Sequence, residues 1–252
     1  MGACNTETAA MMHSFLEKGM HRYMDILREM IGINSFTLNP DGVNRLADYT
    51  AGVFRDLDFT DERVQSVNPS YGRHLVLSRK GASPIVIGCV SHLDTVFSPE
   101  EEERNNFRWR VDGDRIYGPG AEDIKGGTVV MLMTLEALKH VAPGSFDGVT
   151  WSLLLDASEE TESVDFGELC KERVGSNSLG CLIFEAGRIR DNVFSVVTSR
   201  KGRAEIKITT EGKGAHSGVS HKKGASAIVQ LADVIGRVEA ITDYRHELTV
   251  NV

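Results

Sequence analysis

Four stretches of this chain share one pattern, an apolar run that stops on a histidine or an acid. Ile85-Val86-Ile87-Gly88-Cys89-Val90 leads through Ser91 into His92-Leu93-Asp94. Arg115-Ile116-Tyr117 leads through Gly118-Pro119-Gly120-Ala121-Glu122 to Asp123. Thr150–Leu155 runs into Asp156-Ala157-Ser158-Glu159-Glu160, and Leu179–Phe184 into Glu185. The first run, bounded upstream by Gly81 and Pro84, reads as a buried strand. In open α/β sheets ligands bind beyond the carboxyl ends of the strands. His92 therefore reads either as a metal ligand, with Asp94 holding its other ring nitrogen, or as part of a capped turn after a strand. The three later runs decide between these. If the strands share one sheet edge, their carboxylates converge on His92. So many anions in one pocket repel unless most are protonated or cations sit among them. Cations are the economical answer.

The rest of the chain supplies a frame for that edge. Leu16, Met20, Met24, Leu27 and Ile31 recur at steps of three and four, predicting an amphipathic helix over about 14–31. A turn-rich segment, 34–42, precedes a second helix through Leu46, Val53, Phe54 and Leu57. Arg63–Val67 and His74–Ser78 read as strands, and Glu100–Glu103 as an acidic loop facing solvent. Asp112-Gly113 is a type I′ hairpin signal. Lys125–Val141 reads as a buried helix, with Gly126 and Gly127 in its first turn implying close backbone packing or an anion-facing amide cluster. Strands alternating with helices predict an α/β fold, a mixed sheet with helices on both faces. Near Val197 the character changes. Arg203–Thr210 alternates as a half-exposed strand, a glycine-rich loop surrounds His216, a helix spans about 225–240, and Glu247–Val252 reads as a strand. This gives two domains, 1–198 and 199–252, the second an α+β domain that is expected to be incomplete.

Composition narrows the function classes. A formal charge of −8 without a basic face argues against nucleic acid as partner. Among 252 residues no apolar run approaches the ~20 needed to span a bilayer, and the N-terminus lacks a secretory signal pattern. The four cysteines show no CxxC spacing, and a cytoplasmic location is expected. Met1-Gly2-Ala3-Cys4-Asn5-Thr6 fits the loose N-myristoylation pattern, which is too short to displace that reading. There is no Walker or GxGxxG motif, and no GxSxG elbow for serine chemistry.

Taken together, Ser91-His92-Leu93-Asp94-Thr95-Val96, Gly118-Pro119-Gly120-x-x-Asp123-x-Lys125-Gly126-Gly127, Glu159-Glu160, Phe184-Glu185 and Gly212-Lys213-Gly214-Ala215-His216-Ser217-Gly218 resemble the metallopeptidase family often called M20. Glutamate carboxypeptidase, aminoacylase, carnosinase and succinyl-diaminopimelate desuccinylase are among its members. The segment from Phe107 to Gly120 is most similar to the glutamate carboxypeptidase branch. The resemblance implies a metal-dependent hydrolase that cleaves an amide bond of a small peptide or N-acyl amino acid. Its cofactor would be two zinc ions, with cobalt or manganese as alternatives. His92 and Glu185 would ligate one ion and Glu160 the other, Asp123 would bridge both, Glu159 would be the general base and Asp94 would orient His92. His216 would hold substrate across a homodimer formed through the lid domain. Glu159-Glu160 is followed by Thr161-Glu162-Ser163-Val164, where the family more often has a Gly-Ser turn. The family's last metal-binding histidine has no counterpart before Val252, so the chain is expected to be C-terminally truncated and weak in turnover by itself. The competing reading is an inactive remnant that serves as a binding or dimerisation module.

Overall fold

The computed structural model describes residues 6–161, 163–191 and 193–252. The myristoylation pattern at Met1–Asn5 thus lies outside the described residues. Contacts divide the chain into two units that part between Ala186 and Gly187, so the composition change near Val197 falls inside the second.

The first unit opens with α1 (Thr6–Ile31), whose buried Tyr23, Ile26, Leu27, Met30 and Ile31 lie at helical spacing on one face. Helix α2 (Pro40–Phe54) begins where the Asn39 side chain accepts from the Gly42 N–H and Pro40 takes a first-turn position that needs no donor. Then come β1 (Thr60–Gln65), β2 (Arg73–Arg79), β3 (Val86–His92) and α3 (Pro99–Asn105). The hairpin β4 (Arg110–Asp112) and β5 (Arg115–Tyr117) precedes α4 (Lys125–Val141), α5 (Pro143–Gly148), β6 (Thr150–Asp156), α6 (Val164–Val174) and β7 (Ser178–Ile183).

A mixed five-stranded sheet runs β1-β2-β6-β3-β7. The β1/β2 and β2/β6 pairs are antiparallel, whereas β6/β3 and β3/β7 are parallel. Alternation along the strands sorts the core. Leu75, Leu77, Cys89, Leu153 and Leu155 pack with α1, α2 and α4, while Val76 and Leu154 pack with Phe166 and Leu169 of α6 on the opposite face. Each fully buried leucine contributes about 1.5–3 kcal/mol. Helices on both faces force the sheet's chemistry to its edge. The carboxyl ends of the three parallel strands lie together there, at His92, Asp156 and Ile183.

Several expectations need correction. The first strand sits at Thr60–Gln65, because its register is set by pairing with β2 rather than by its own weak pattern. The acidic run at Glu100–Glu103 is helical. Ser98 caps it in a capping box with Glu101, and acids in the first turn suit the helix dipole. The hairpin loop is Gly113-Asp114, with positive φ at Gly113 alone, the pattern of a type II′ rather than a type I′ turn.

The second unit contains the hairpin β8 (Arg188–Arg190) and β9 (Val193–Ser195), and α7 (Ala227–Glu239), which Ser226 caps by accepting from the Val229 N–H. A bridge between Lys213 and Ala225 closes the glycine-rich loop. Arg203–Thr210 forms no strand, and Ile206 and Ile208 are exposed. Glu247–Val252 likewise forms none beyond one isolated bridge from Leu248 to Asp243. Period-two alternation prepares a face but supplies no hydrogen-bond partner, and neither segment has a ladder among the described residues. No helix among the described residues is long and apolar enough to cross a membrane.

Candidate metal centre

His92 ends β3 and is buried. Its Nδ1 lies 3.0 Å from the carbonyl oxygen of Asp94 and 3.4 Å from the Asp94 carboxylate. Both neighbours only accept, so Nδ1 carries the proton and Nε2 is left to face the site. There Nε2 meets Asp123 at 2.9 Å, Glu185 at 3.7 Å and Glu159 at 3.9 Å. One ligating atom from each of His92, Asp123 and Glu160 fits within 4.8 Å of the others. Carboxylates of Glu159, Glu160 and Glu185 meet His92 from beyond the ends of β6 and β7, but the expectation that all four runs share one sheet needs correction, because the Arg115–Tyr117 run lies in the separate β4-β5 hairpin.

Asp123 reaches the site from the turn before α4, and its peptide bond to Ile124 is cis. That turn is held tightly. Gly120 adopts φ +73°, and a Cβ there would press on Lys125 and Thr95. Gly127 lets the first turn of α4 lie against the carbonyl of Phe184, into which any Cβ would run, which fixes α4 beside Glu185. The buried Lys125 ammonium donates to the Ile33 carbonyl at 2.9 Å, and burial lowers its pKa to about 8 against the pull of Glu102. Ser91 and Thr128 share a 2.6 Å hydroxyl contact that ties β3 to α4.

The Asp94 carboxylate does more than attend His92. It accepts from the Thr37 hydroxyl at 2.7 Å and from the backbone N–H groups of Glu159 at 3.0 Å and Glu160 at 3.3 Å. Asp94 thereby aims the Glu159-Glu160 turn, and Thr37 is the residue that sequence reasoning missed. A lone threonine in a turn-rich loop carries no motif. It arrives through the bridge that pairs Phe36 with Thr95. Asp156, by contrast, ends β6 but turns from the site to accept from Ser158 and Ser163.

Electrostatics mark the cluster as built for positive charge. Burial, then the charges of Asp123, Asp94 and Glu159, raise the Glu160 pKa to about 7, with His92 opposing. Burial first, then neighbouring carboxylates, also raises Glu159. Burial works against protonating His92, but the Asp94 hydrogen bond and charge, with Glu159 and Glu185, outweigh it and lift the pKa to about 9. The upward shifts of Glu160 and His92 share one contribution, the negative charge of crowded carboxylates, which a cation would relieve. Mixed imidazole and carboxylate donors suit zinc. A cavity of about 300 Å³ opens beside Asp123 and Glu160, walled by Thr95, Val96 and Phe97.

His216 belongs to the second unit. It is exposed, and its Nδ1 accepts from the N–H groups of Gly218 and Val219, both at 3.2 Å.

The family model described as Peptidase family M20/M25/M40 matches residues 88–246, a span that takes in His92, Asp123, Glu160, Glu185 and His216. The chain belongs to this family. It is 29% identical over 225 residues to carboxypeptidase G2 of Pseudomonas sp. (strain RS-16), covering 89% of this chain and 52% of that protein. It is 24% identical over 217 residues to a probable succinyl-diaminopimelate desuccinylase of Staphylococcus epidermidis, covering 85% and 51%. The chain thus spans about half the length of these relatives. Among solved structures, aminopeptidase PepT from Bacillus cereus aligns with TM-score 0.61 at 17% identity, covering 86% of this chain and 56% of that one. Human carnosine dipeptidase 1 aligns with TM-score 0.59 at 17% identity, covering 71% and 42%. These structural matches establish that the fold is shared with this peptidase family.

Proposed function

We propose that this M20-family chain carries the metal site of a hydrolase that cleaves an amide bond in a small peptide or N-acyl amino acid. The observation that carries the reading is the meeting of His92, Asp123 and Glu160 within 4.8 Å at the carboxyl edge of parallel strands, with Glu159 and Glu185 beside them. Zinc is the first choice of ion. His92 and Glu185 would hold one ion and Glu160 a second, with Asp123 contributing to the holding of both. When bound, the ions supply Lewis-acid polarisation and make water acidic enough to attack at neutral pH.

The chain's own residues supply the rest. Glu159, half exposed beside His92, takes a proton from the attacking water and returns it to the departing amine nitrogen. Its raised pKa suits both transfers. Asp94 fixes the backbone of the Glu159-Glu160 turn by accepting from both N–H groups, which holds the two carboxylates beside His92 and Asp123 so that one can ligate while the other moves protons. The names of the relatives, a carboxypeptidase and a desuccinylase, favour hydrolysis of this kind. A substrate-holding role for His216, reaching a neighbouring subunit in a homodimer, rests on its glycine-rich motif.

Paired variants test the assignment. Measured in a form of the protein that turns over substrate, Glu159→Gln should keep metal content and lose activity on peptide or N-acyl substrates by about 10²–10⁴-fold. Glu160→Gln should lose metal. Loss of metal in the first variant and retention in the second would exchange the two roles.

A further inference from the structure

His74 is a buried histidine that stands outside the cluster around His92. It sits on β2, one position beyond the Leu75–Leu155 pair, and so lies opposite Asp156 on β6, which in turn pairs with His92 on β3. The three residues make one row across adjacent strands. The imidazole is 1% exposed and packs against the Phe166 ring at 5.3 Å. Its Nε2 lies 3.2 Å from the Asp165 carboxylate, which also accepts from the Val67 N–H at 2.8 Å. Its Nδ1 lies 3.1 Å from the Ala157 N–H and 3.1 Å from the Asp156 carboxylate.

One ring nitrogen cannot accept from Ala157 and donate to Asp156 at once. A neutral ring, with its proton on Nε2 toward Asp165, accepts the Ala157 N–H. A charged ring donates to Asp156, whose same oxygen receives the Ser158 N–H at 2.9 Å and the Ser163 hydroxyl at 2.8 Å. The Ala157 N–H is aimed at Nδ1, so it is the neutral ring that is fastened directly to the turn after β6, whose next residues are Glu159 and Glu160, whereas a charged ring holds that turn only through Asp156. Asp94 grips that turn from the side of His92, and His74 and Asp156 grip it from the other side.

We propose that His74 is a positioning residue that fixes the Glu159-Glu160 turn through its Nδ1 contact with the start of that turn, with Asp165 anchoring the far side of the ring. The bearing of this on catalysis rests on the metal-site reading above, whereas the positioning itself does not. Burying an N–H without a partner costs more than the net worth of the hydrogen bond it loses, so release of Ala157 should loosen its neighbours.

The test compares two substitutions that each keep one half of the ring's function. Asn places an amide oxygen where Nδ1 stands and can still accept from Ala157. Gln places its amide nitrogen where Nε2 stands and can still donate to Asp165, but it leaves Ala157 without an acceptor. Backbone hydrogen exchange is followed across residues 157–161 in the metal-free full chain, alongside zinc affinity by titration. His74→Gln should speed exchange of the turn about tenfold or more and weaken zinc, while His74→Asn stays within about threefold of the parent chain in both. A role limited to filling the core predicts the reverse order, because Asn leaves the larger cavity. That reverse order, or equal exchange in both variants, would overturn the proposal. If the parent chain binds no zinc, the metal-site reading fails, and the exchange comparison still decides the role of His74. If either variant melts early, exchange of β3 amides in the same sample separates global unfolding from local release of the turn.

Discussion

Replacing Asp94 by Asn removes a charge while leaving the shape of the side chain almost unchanged, so most of its effect on the turn can be worked from the hydrogen bonds. The carboxylate is buried, accepts from the Thr37 hydroxyl and from the Glu159 and Glu160 N–H groups, and lies 3.4 Å from His92 Nδ1. An amide has one oxygen. The Thr37 hydroxyl can rotate and accept from the new NH₂ group, but a backbone N–H cannot. Whichever way the amide is turned, Glu159 or Glu160 loses its acceptor and faces a donor. One unsatisfied N–H costs about 1–3 kcal/mol, and replacing charge-assisted bonds by neutral ones adds about 1 kcal/mol. We expect a loss of roughly 2–4 kcal/mol in urea unfolding of the metal-free chain. A shift of the turn that carries Glu160 should also weaken zinc by about 10–100-fold, the usual effect of disturbing groups that hold ligands in place. Stability within about 0.5 kcal/mol of the parent, together with unchanged zinc affinity, would refute the view that Asp94 organises the Glu159-Glu160 turn.

Other perturbations have equally definite outcomes. Gly127→Ala forces a methyl group into the Phe184 carbonyl, so it should cost about 1–3 kcal/mol in urea unfolding and lower zinc affinity by displacing Glu185 from His92. In the metal-free chain both His92 and Glu160 have pKa values raised above their unfolded values, to about 9 and about 7. The folded state therefore binds more protons than the unfolded state, and stability should fall as pH rises from 6 to 9. Saturating zinc takes over from those protons and should flatten or reverse the slope, as thermal melts at several pH values would show. His92→Ala should abolish tight zinc binding in a calorimetric titration while leaving the sheet folded by circular dichroism.

What could be read from the sequence and what could not divides along physical lines. The parallel strands announce themselves as apolar runs, and the polar residues just beyond them mark the edge where Glu159, Glu160 and Glu185 meet His92, whereas Asp123 arrives from the turn before α4, after a hairpin outside that sheet. Sequence does not reveal which way an acid at a strand end points. Asp156 sits in register with His92, yet its carboxylate is claimed by Ser158, Ser163 and His74. The hydroxyl that completes the Asp94 contacts comes from Thr37, separated from it by 57 positions and delivered by a backbone bridge that has no sequence signature. Arg203–Thr210 shows the limit of periodicity. Its alternation is that of a strand, but pairing depends on a neighbour that the pattern cannot name. The capped helix at Pro99–Asn105 shows the opposite case, where Ser98 and Glu101 carried a signal that the acid run obscured.

The central claim is that His92, Asp123, Glu160 and Glu185 hold divalent metal at one edge of the sheet. Anomalous diffraction from zinc-loaded crystals of this chain tests it most directly. Metal held by this cluster would give a peak within about 2.0–2.2 Å of His92 Nε2 and of a carboxylate oxygen of Asp123. A peak bonded to other residues with this cluster empty, or no peak at saturating zinc, would contradict it.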